Sequence, residues 1–186
     1  LLGDLYLNAG QPAEAVERYE AAIAAGWEES SRLLRAVEGL ILTGDAEGAA
    51  HMLDRISVQL GQGHDPADVT EHLRLKGELA AVQGDVGASV ELYRELTARD
   101  PLNGKALLRL GQLLALEGDL GDAELTYERA GRLEGMQAEA LVRRAELAVQ
   151  RERFDEAVKL LETAETIESR PHVARYLVQV RRLAER

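Results

Sequence analysis

Cysteine is absent from the sequence, aromatic residues make up only 4% of it, and no long uninterrupted run of apolar residues occurs. Without cysteine the chain has no disulfide framework, no thiolate nucleophile and no cysteine-ligated zinc. No segment approaches the roughly 18 consecutive apolar residues of a membrane-spanning helix, so direct membrane insertion is not expected. No signal peptide is recognisable, and the first residue is Leu1. We therefore expect a fragment of a larger bacterial protein, from either the cytoplasm or the periplasm.

Proline is limited to four positions, whereas alanine, leucine, glutamate and arginine dominate the composition. These four residue types lose little freedom in a helix, so the composition favours helical structure. The formal net charge is −11, from 33 acidic and 22 basic residues. An acidic chain is repelled by phosphate backbones, so nucleic acid is not an expected partner.

An internal repeat is visible in the glycines. Gly10, Gly44, Gly84 and Gly118 are separated by 34, 40 and 34 residues, and a further 34 residues lead to Glu152. Seven positions before these five points stand small residues or valine: Gly3, Val37, Gly77, Gly111 and Ala145. Nine positions after them stand tyrosine or leucine: Tyr19, Leu53, Tyr93, Tyr127 and Leu161. Further apolar columns follow at spacings of three, four and seven, which place them on one face of a helix.

The turns between these columns have a recurring chemistry. Gly44-Asp45, Gly84-Asp85 and Gly118-Asp119 each join a helix stop to a helix start. Glycine adopts the left-handed conformation that ends a helix, and the aspartate accepts hydrogen bonds from the free amides of the next one. Each unit is therefore predicted to be a helix, a tight turn and a second helix.

This pattern resembles the tetratricopeptide repeat family. The fourth unit carries the family motif in Leu110-Gly111, Leu114, Ala123, Tyr127 and Ala130. The resemblance extends over essentially the whole chain, although Val37 and Glu152 depart from the usual glycines. It implies an all-α fold, a right-handed α-solenoid of stacked antiparallel helix hairpins.

The repeat register predicts six segments. They are a partial first repeat over 1–28, a second over 29–63 with an insertion near 60–66, a third over 66–101, a fourth over 102–135, a fifth over 136–170, and a C-terminal capping helix over 171–186. Asp65 before Pro66 is typical of a helix cap and first turn, so the third repeat is expected to start there. The last segment is alternatively the first helix of another repeat.

Candidates for chemistry are few. His51, His64, His72 and His172 lack the i, i+4 spacing of a helical metal site, and Gly61-Gln62-Gly63 follows a helix rather than a strand. We predict no metal, no cofactor and no catalytic residue, and hence no enzyme.

The first helices of such hairpins line the concave groove of the solenoid, where the resemblance implies that a protein or peptide binds. The predicted groove residues form arginine, carboxylate or amide, and apolar strips: Leu34, Arg35, Glu38, Ile41, Arg74, Glu78, Lys105, Leu108, Arg109, Gln112, Val142, Arg143 and Glu146. Such strips suit an extended peptide or a helix. Alternatively, these arginines and carboxylates simply pair with one another between neighbouring helices.

Some family members hold a C-terminal carboxylate with lysine, asparagine and arginine side chains. Only Lys105 and Arg109 match that set, and Glu38 would repel a carboxylate, so this clamp is not expected. The leading hypothesis is a protein-interaction scaffold of undetermined oligomeric state. The alternatives are the docking region of an envelope assembly or polysaccharide-export protein, or of an enzyme whose catalytic domain lies elsewhere.

Overall fold

The computed structural model describes residues 2–26, 30–59 and 65–185. Within these residues the backbone forms eleven α-helices and no strand, which confirms the predicted all-α helical-repeat class. The chain divides into two units, Leu1–Arg99 and Asp100–Arg186.

Unit 1 contains three hairpins. Its helices are α1 (Leu2–Asn8), α2 (Pro12–Ala24), α3 (Ser30–Thr43), α4 (Ala46–Gln59), α5 (Pro66–Val82) and α6 (Val86–Arg99). The first helices of successive hairpins lie side by side, α1 beside α3 and α3 beside α5, while α2 contacts α4. The core of this unit includes Tyr19, Leu33, Leu40, Met52 and Ile56, all fully buried.

Unit 2 contains two hairpins and a final helix. Its helices are α7 (Gly104–Glu117), α8 (Leu120–Gly131), α9 (Gln137–Gln150), α10 (Phe154–Ile167) and α11 (Pro171–Ala184). Helix α8 packs against α9, and α11 packs against α10 through the buried side chains of Val173, Leu177 and Val180. Whether α11 is a cap or the first helix of a further repeat stays a prediction.

The hairpin turns have the predicted geometry. Gly44, Gly84 and Gly118 adopt positive φ values of 84°, 83° and 95°. After each, the aspartate side chain accepts a hydrogen bond from the backbone of the next helix, as Asp85 Oδ1 does from Ala88 N at 3.0 Å. The fifth turn keeps the same conformation without glycine, because Glu152 itself has φ 57°.

Glycine and tyrosine meet inside three of the hairpins. A Cβ added to Gly3, Gly77 or Gly111 would come within 2.5–2.8 Å of the tyrosine ring of the same hairpin. The remaining two hairpins replace both partners together, with Val37 and Leu53 in one and Ala145 and Leu161 in the other. In each hairpin, therefore, either tyrosine packs against glycine, or the smaller leucine stands opposite valine or alanine.

The start of α5 follows the capping prediction. The Asp65 side chain accepts a hydrogen bond from Ala67 N at 2.9 Å, and Pro66 is the first helical residue. The insertion predicted near 60–66 falls largely on residues 60–64, outside the described part of the chain, as do His64 and Gly61-Gln62-Gly63. The six repeat boundaries as a set stay a prediction.

Among the described helices, none combines the length and the apolar character that crossing a membrane requires.

Candidate interaction site

The predicted groove residues of unit 1 lie on α3 and α5, which are neighbours. Arg35 is exposed, Glu38, Ile41, Arg74 and Glu78 are half-buried, and Leu34 is only 1% exposed. The residues predicted from the repeat register are therefore brought together on the first helices, but they differ in their accessibility.

The prediction that Leu34 and Val142 belong to the apolar strip of the groove is wrong, because both side chains are buried. Leu34 is buried in the core of unit 1 and Val142, at 7% exposure, in that of unit 2, so neither can contact a partner. Both stand three positions before a residue of the column that packs inside the hairpin, Val37 and Ala145. Residues three apart share a helix face, so these side chains belong to the core face. Leu108, at the same register position, packs partly against a buried cluster of unit 2.

The accessible apolar strip lies further along the first helices. Leu42 is 82% exposed at the end of α3, and Val82 and Leu116 are also exposed at the same register position of α5 and α7. This position is two residues before the turn glycine, where the helix has passed the packed part of the hairpin.

A groove of about 320 Å³ runs between α1 and α3 in unit 1. Its walls combine apolar and polar side chains: Asp4, Leu7, Asn8, Tyr19, Arg35, Ala36, Gly39, Leu42 and Thr43. Tyr19 donates its hydroxyl hydrogen bond to Asp4 Oδ1 at 2.8 Å, which occupies the carboxylate. Burial raises the pKa of Tyr19, so the phenol stays a neutral donor. Gly39 keeps the groove open, since a Cβ there would lie 3.0 Å from Leu7 Cδ1.

Arg35 differs from the other arginines of the predicted groove. It projects from α3 into the α1–α3 groove, and within the described residues no acidic side chain pairs with it. Arg74 by contrast lies 2.8 Å from Glu38 and 2.6 Å from Glu71, and thus joins α3 to α5. The inter-helix pairing that the sequence left open occurs at Arg74 and Glu38.

The predicted residues of unit 2 lie on α7 and α9. Arg143 is held by Glu139 at 2.9 Å and by Glu146 at 3.1 Å, and Arg109 Nη1 donates to Gln112 Oε1 at 3.0 Å. Lys105 is exposed at the start of α7. Most of the charge in this set is therefore engaged within its own helix.

His72 is a buried histidine of unit 1. Its Nε2 lies 3.1 Å from the Leu53 carbonyl oxygen and 3.0 Å from Ser57 Oγ, which links α5 to α4. Burial lowers the pKa of His72, because the charged imidazolium would lose its hydration. This arrangement is structural, since the side chain faces the interior.

A second pocket, of about 350 Å³, lies in unit 2 between α8, α9 and the end of α10. We call it the α8–α10 pocket. Its lining comprises Tyr127, Glu128, Gly131, Arg132, Gln137, Ala140, Leu141, Arg144 and Ile167. Burial raises the pKa of Tyr127 to about 12. Sequence reasoning missed this pocket, although Gly131 was a signal for it: the equivalent positions of the first three repeats hold Ile23, Ser57 and Thr97.

Among residues 2–26, 30–59 and 65–185, no three histidine, aspartate or glutamate side chains come together in a group that could hold a metal ion. The candidate sites described above are the α1–α3 groove and the α8–α10 pocket.

The fold and the first-helix groove define an α-helical repeat protein. The tetratricopeptide repeat model matches residues 1–56 and 74–135, which is more than half of the chain. The chain belongs to the tetratricopeptide repeat family. No curated protein matches the sequence significantly.

Solved structures with the same fold are numerous. MamA from Desulfovibrio magneticus is 14% identical with a TM-score of 0.72, covering 90% of this chain and 91% of that one. YrrB, described as a tetratricopeptide repeat protein with an unusual peptide-binding site, is 14% identical with a TM-score of 0.70, covering 95% and 88%. PilF from Pseudomonas aeruginosa is 16% identical with a TM-score of 0.68, covering 96% and 78%. At these identities the likeness extends to the fold.

Proposed function

We propose that this protein binds a partner protein, through an extended peptide or a helix, on the first-helix face of unit 1. The observation that carries the proposal is the α1–α3 groove, where exposed Leu42 and Arg35 flank an opening kept free by Gly39. Arg35 has no acidic partner in the part of the chain that the structure describes. Peptides are held in such grooves by apolar anchors, with charged groups setting their register. The peptide-binding site of YrrB is consistent with a binding role on this fold.

The side chains of the α1–α3 groove indicate which kind of peptide segment would fit it. Its apolar wall includes Leu7 and Leu42, and its free charge is the guanidinium of Arg35. The Asp4 carboxylate already accepts the hydrogen bond of Tyr19. A segment that places an acidic side chain next to an apolar one complements these groups, because an arginine pairs with carboxylates through parallel hydrogen bonds. A binding role rather than catalysis also agrees with the family, whose members are typically non-enzymatic.

A peptide-display selection against the full chain tests this proposal. We expect enrichment of peptides that combine acidic and apolar residues. Binding of the enriched peptides should fall about tenfold or more in Arg35→Glu, which replaces attraction by repulsion, and in Leu42→Asp. Fluorescence anisotropy of a labelled peptide measures the change.

Arg55→Glu is the matched control. Arg55 is exposed on α4, has no acidic partner among the described residues, and is not part of the groove. It carries the same change of net charge, so its effect on affinity should be small. Selected peptides that bind Arg35→Glu and Leu42→Asp as tightly as the unaltered chain would place the binding surface elsewhere. In unit 2, the following residues stay predicted partner-binding residues: Lys105, Leu108, Arg109, Gln112, Arg143 and Glu146.

A further inference from the structure

We propose that the α8–α10 pocket binds a carboxylate carried on a small apolar group. The pocket joins an apolar floor to a cationic rim. Tyr127, Ala140 and Leu141 are buried or half-buried in its walls, and Ile167 is exposed at its mouth. Arg132 is the C-cap residue that directly follows α8, and Arg144 lies on α9. The pocket lies wholly within unit 2, so this proposal does not depend on the one made for the α1–α3 groove.

The pocket lies at a position where the fourth repeat departs from the residue types of the others. Gly131 stands thirteen residues after the turn glycine Gly118, and the same position holds Ile23, Ser57, Thr97 and Glu165 in the other repeats. Of the five repeats, the fourth alone has glycine, and so no side chain, at this position of its second helix. A Cβ at Gly131 would lie 3.3 Å from Ala140 Cβ, so α8 and α9 approach closely beneath the opening.

The fourth and fifth repeats together place cations around that opening, Arg132 from the fourth and Arg144 from the fifth. Arg144 stands eight residues before Glu152, where other repeats have Leu2, Ala36, Lys76 and Leu110. Its Nη2 lies 3.0 Å from Glu128 and 3.8 Å from Glu124. Glu124 is shared, because Arg151 at 2.5 Å and Arg153 at 3.6 Å also reach it.

The charge of the rim is therefore incompletely balanced. The Arg144 Nε is buried and has no hydrogen-bond partner among the described residues. Arg132 is exposed, and within the same residues it has no acidic partner at all. The acidic group lining the pocket, Glu128, is engaged by Arg144. A negative group at the rim would meet one free guanidinium and one that is only partly compensated.

The size of the pocket limits the apolar part of the ligand. About 350 Å³ is at the lower end of the range for ligand sites, roughly 300–1,000 Å³. A branched aliphatic group of about the size of a leucine side chain fits this volume, with its carboxylate at Arg132. Both a peptide ending in an apolar residue and a free aliphatic acid have this chemistry.

NMR titration of the full chain with three probes tests the proposal. The probes are acetyl-glycyl-leucine, its C-terminal amide, and 4-methylpentanoate. We expect at least one of the two acids to bind, to shift the amide signals of Ala140, Leu141 and Ile167, and to bind about tenfold more tightly than the amide. Binding should weaken as salt is added, because Arg132 is exposed.

The two acids distinguish the source of the ligand. Binding of acetyl-glycyl-leucine alone assigns the site to a peptide terminus, and binding of 4-methylpentanoate alone assigns it to a free acid. If neither acid binds, or if the amide binds equally well, the proposal is wrong.

Three variants locate the binding. Arg132→Glu should weaken the binding of the acid about tenfold or more, whereas Arg129→Glu should leave it unchanged. Arg129 is exposed on α8 outside the pocket and has no acidic partner among the residues that the structure describes. Gly131→Thr introduces the residue that the third repeat has at this position, and should block the pocket while the circular dichroism spectrum stays helical. Equal binding by Arg132→Glu and by folded Gly131→Thr would overturn the assignment.

Discussion

Glu152 holds a backbone conformation that glycine holds in the other four hairpin turns. Its φ of 57° is positive like those of Gly10, Gly44, Gly84 and Gly118, which range from 72° to 95°. The turn is nevertheless closed, since Arg153 N donates to the Ala148 carbonyl oxygen at 2.8 Å. A side chain in the left-handed region costs roughly 1–2 kcal/mol, because its Cβ approaches the backbone carbonyl.

We predict that Glu152→Gly raises the free energy of unfolding by about 1 kcal/mol. The gain is less than the full strain, because glycine has more freedom in the unfolded chain. Urea unfolding followed by circular dichroism measures it. Glu17→Gly is the control: Glu17 is exposed inside α2, where glycine should instead destabilise by about 1 kcal/mol. The same sign for both substitutions would show that Glu152 is not strained.

At the scale of the helices, the packing of each hairpin depends on two facing residues whose sizes match each other. A Cβ on Gly111 would lie 2.5 Å from Tyr127 Cε1, closer than side chains pack. Tyr127 is itself buried in unit 2. Where valine replaces this glycine, at Val37, leucine replaces the tyrosine, at Leu53.

We predict that Gly111→Val alone destabilises by about 1–3 kcal/mol, because it overpacks the hairpin. Tyr127→Leu alone should also destabilise, by leaving a cavity. The double variant reproduces the pair of the second repeat and should be more stable than the sum of the two single effects, by about 1 kcal/mol or more. Gly121→Val is the control, since a Cβ there meets only Asp119 Oδ1, at 3.8 Å. Additive single effects would contradict the reciprocal packing.

The helices and turns could be predicted from the sequence because each depends on local chemistry that recurs. The Gly-Asp turns, Asp65 with Pro66 and the apolar columns each act within a few residues of their position. The exposure of the groove residues depends instead on contacts between helices. Leu34 was placed in the groove by register alone, although its spacing from Val37 already put it on the core face.

Across the whole molecule, the two candidate sites also depend partly on contacts between helices, which the sequence alone does not predict. The first helices and their strips were predictable, because the register repeats in each unit. The sequence could not predict that Arg74 pairs with Glu38 and Glu71, or that Arg35 has no acidic partner among the described residues. Both depend on which carboxylates the neighbouring helices present. The α8–α10 pocket contains Gly131 and Arg144, which differ from the residues at the same positions of the other repeats. The repeat pattern predicts only the positions at which the repeats agree.

Unit 2 ends in a helix whose two faces differ sharply. On α11, Leu177 is 8% exposed and belongs to a buried cluster with Leu161 of α10, whereas the adjacent Val178 is 48% exposed. The apolar surface of α10 is therefore covered by α11.

We predict that Leu177→Asp destabilises the protein by about 3 kcal/mol or more, because a carboxylate cannot be buried without a partner. Val178→Asp introduces the same group one residue away on the exposed face, and should change stability by less than about 1 kcal/mol. Urea unfolding measures both. Deletion of 171–186 should further cause concentration-dependent self-association in light scattering, because the cluster around Leu161 would face solvent. A deletion variant that stays monomeric and as stable as the full chain would show that α11 has no covering role, since the apolar surface of α10 would then tolerate water by itself.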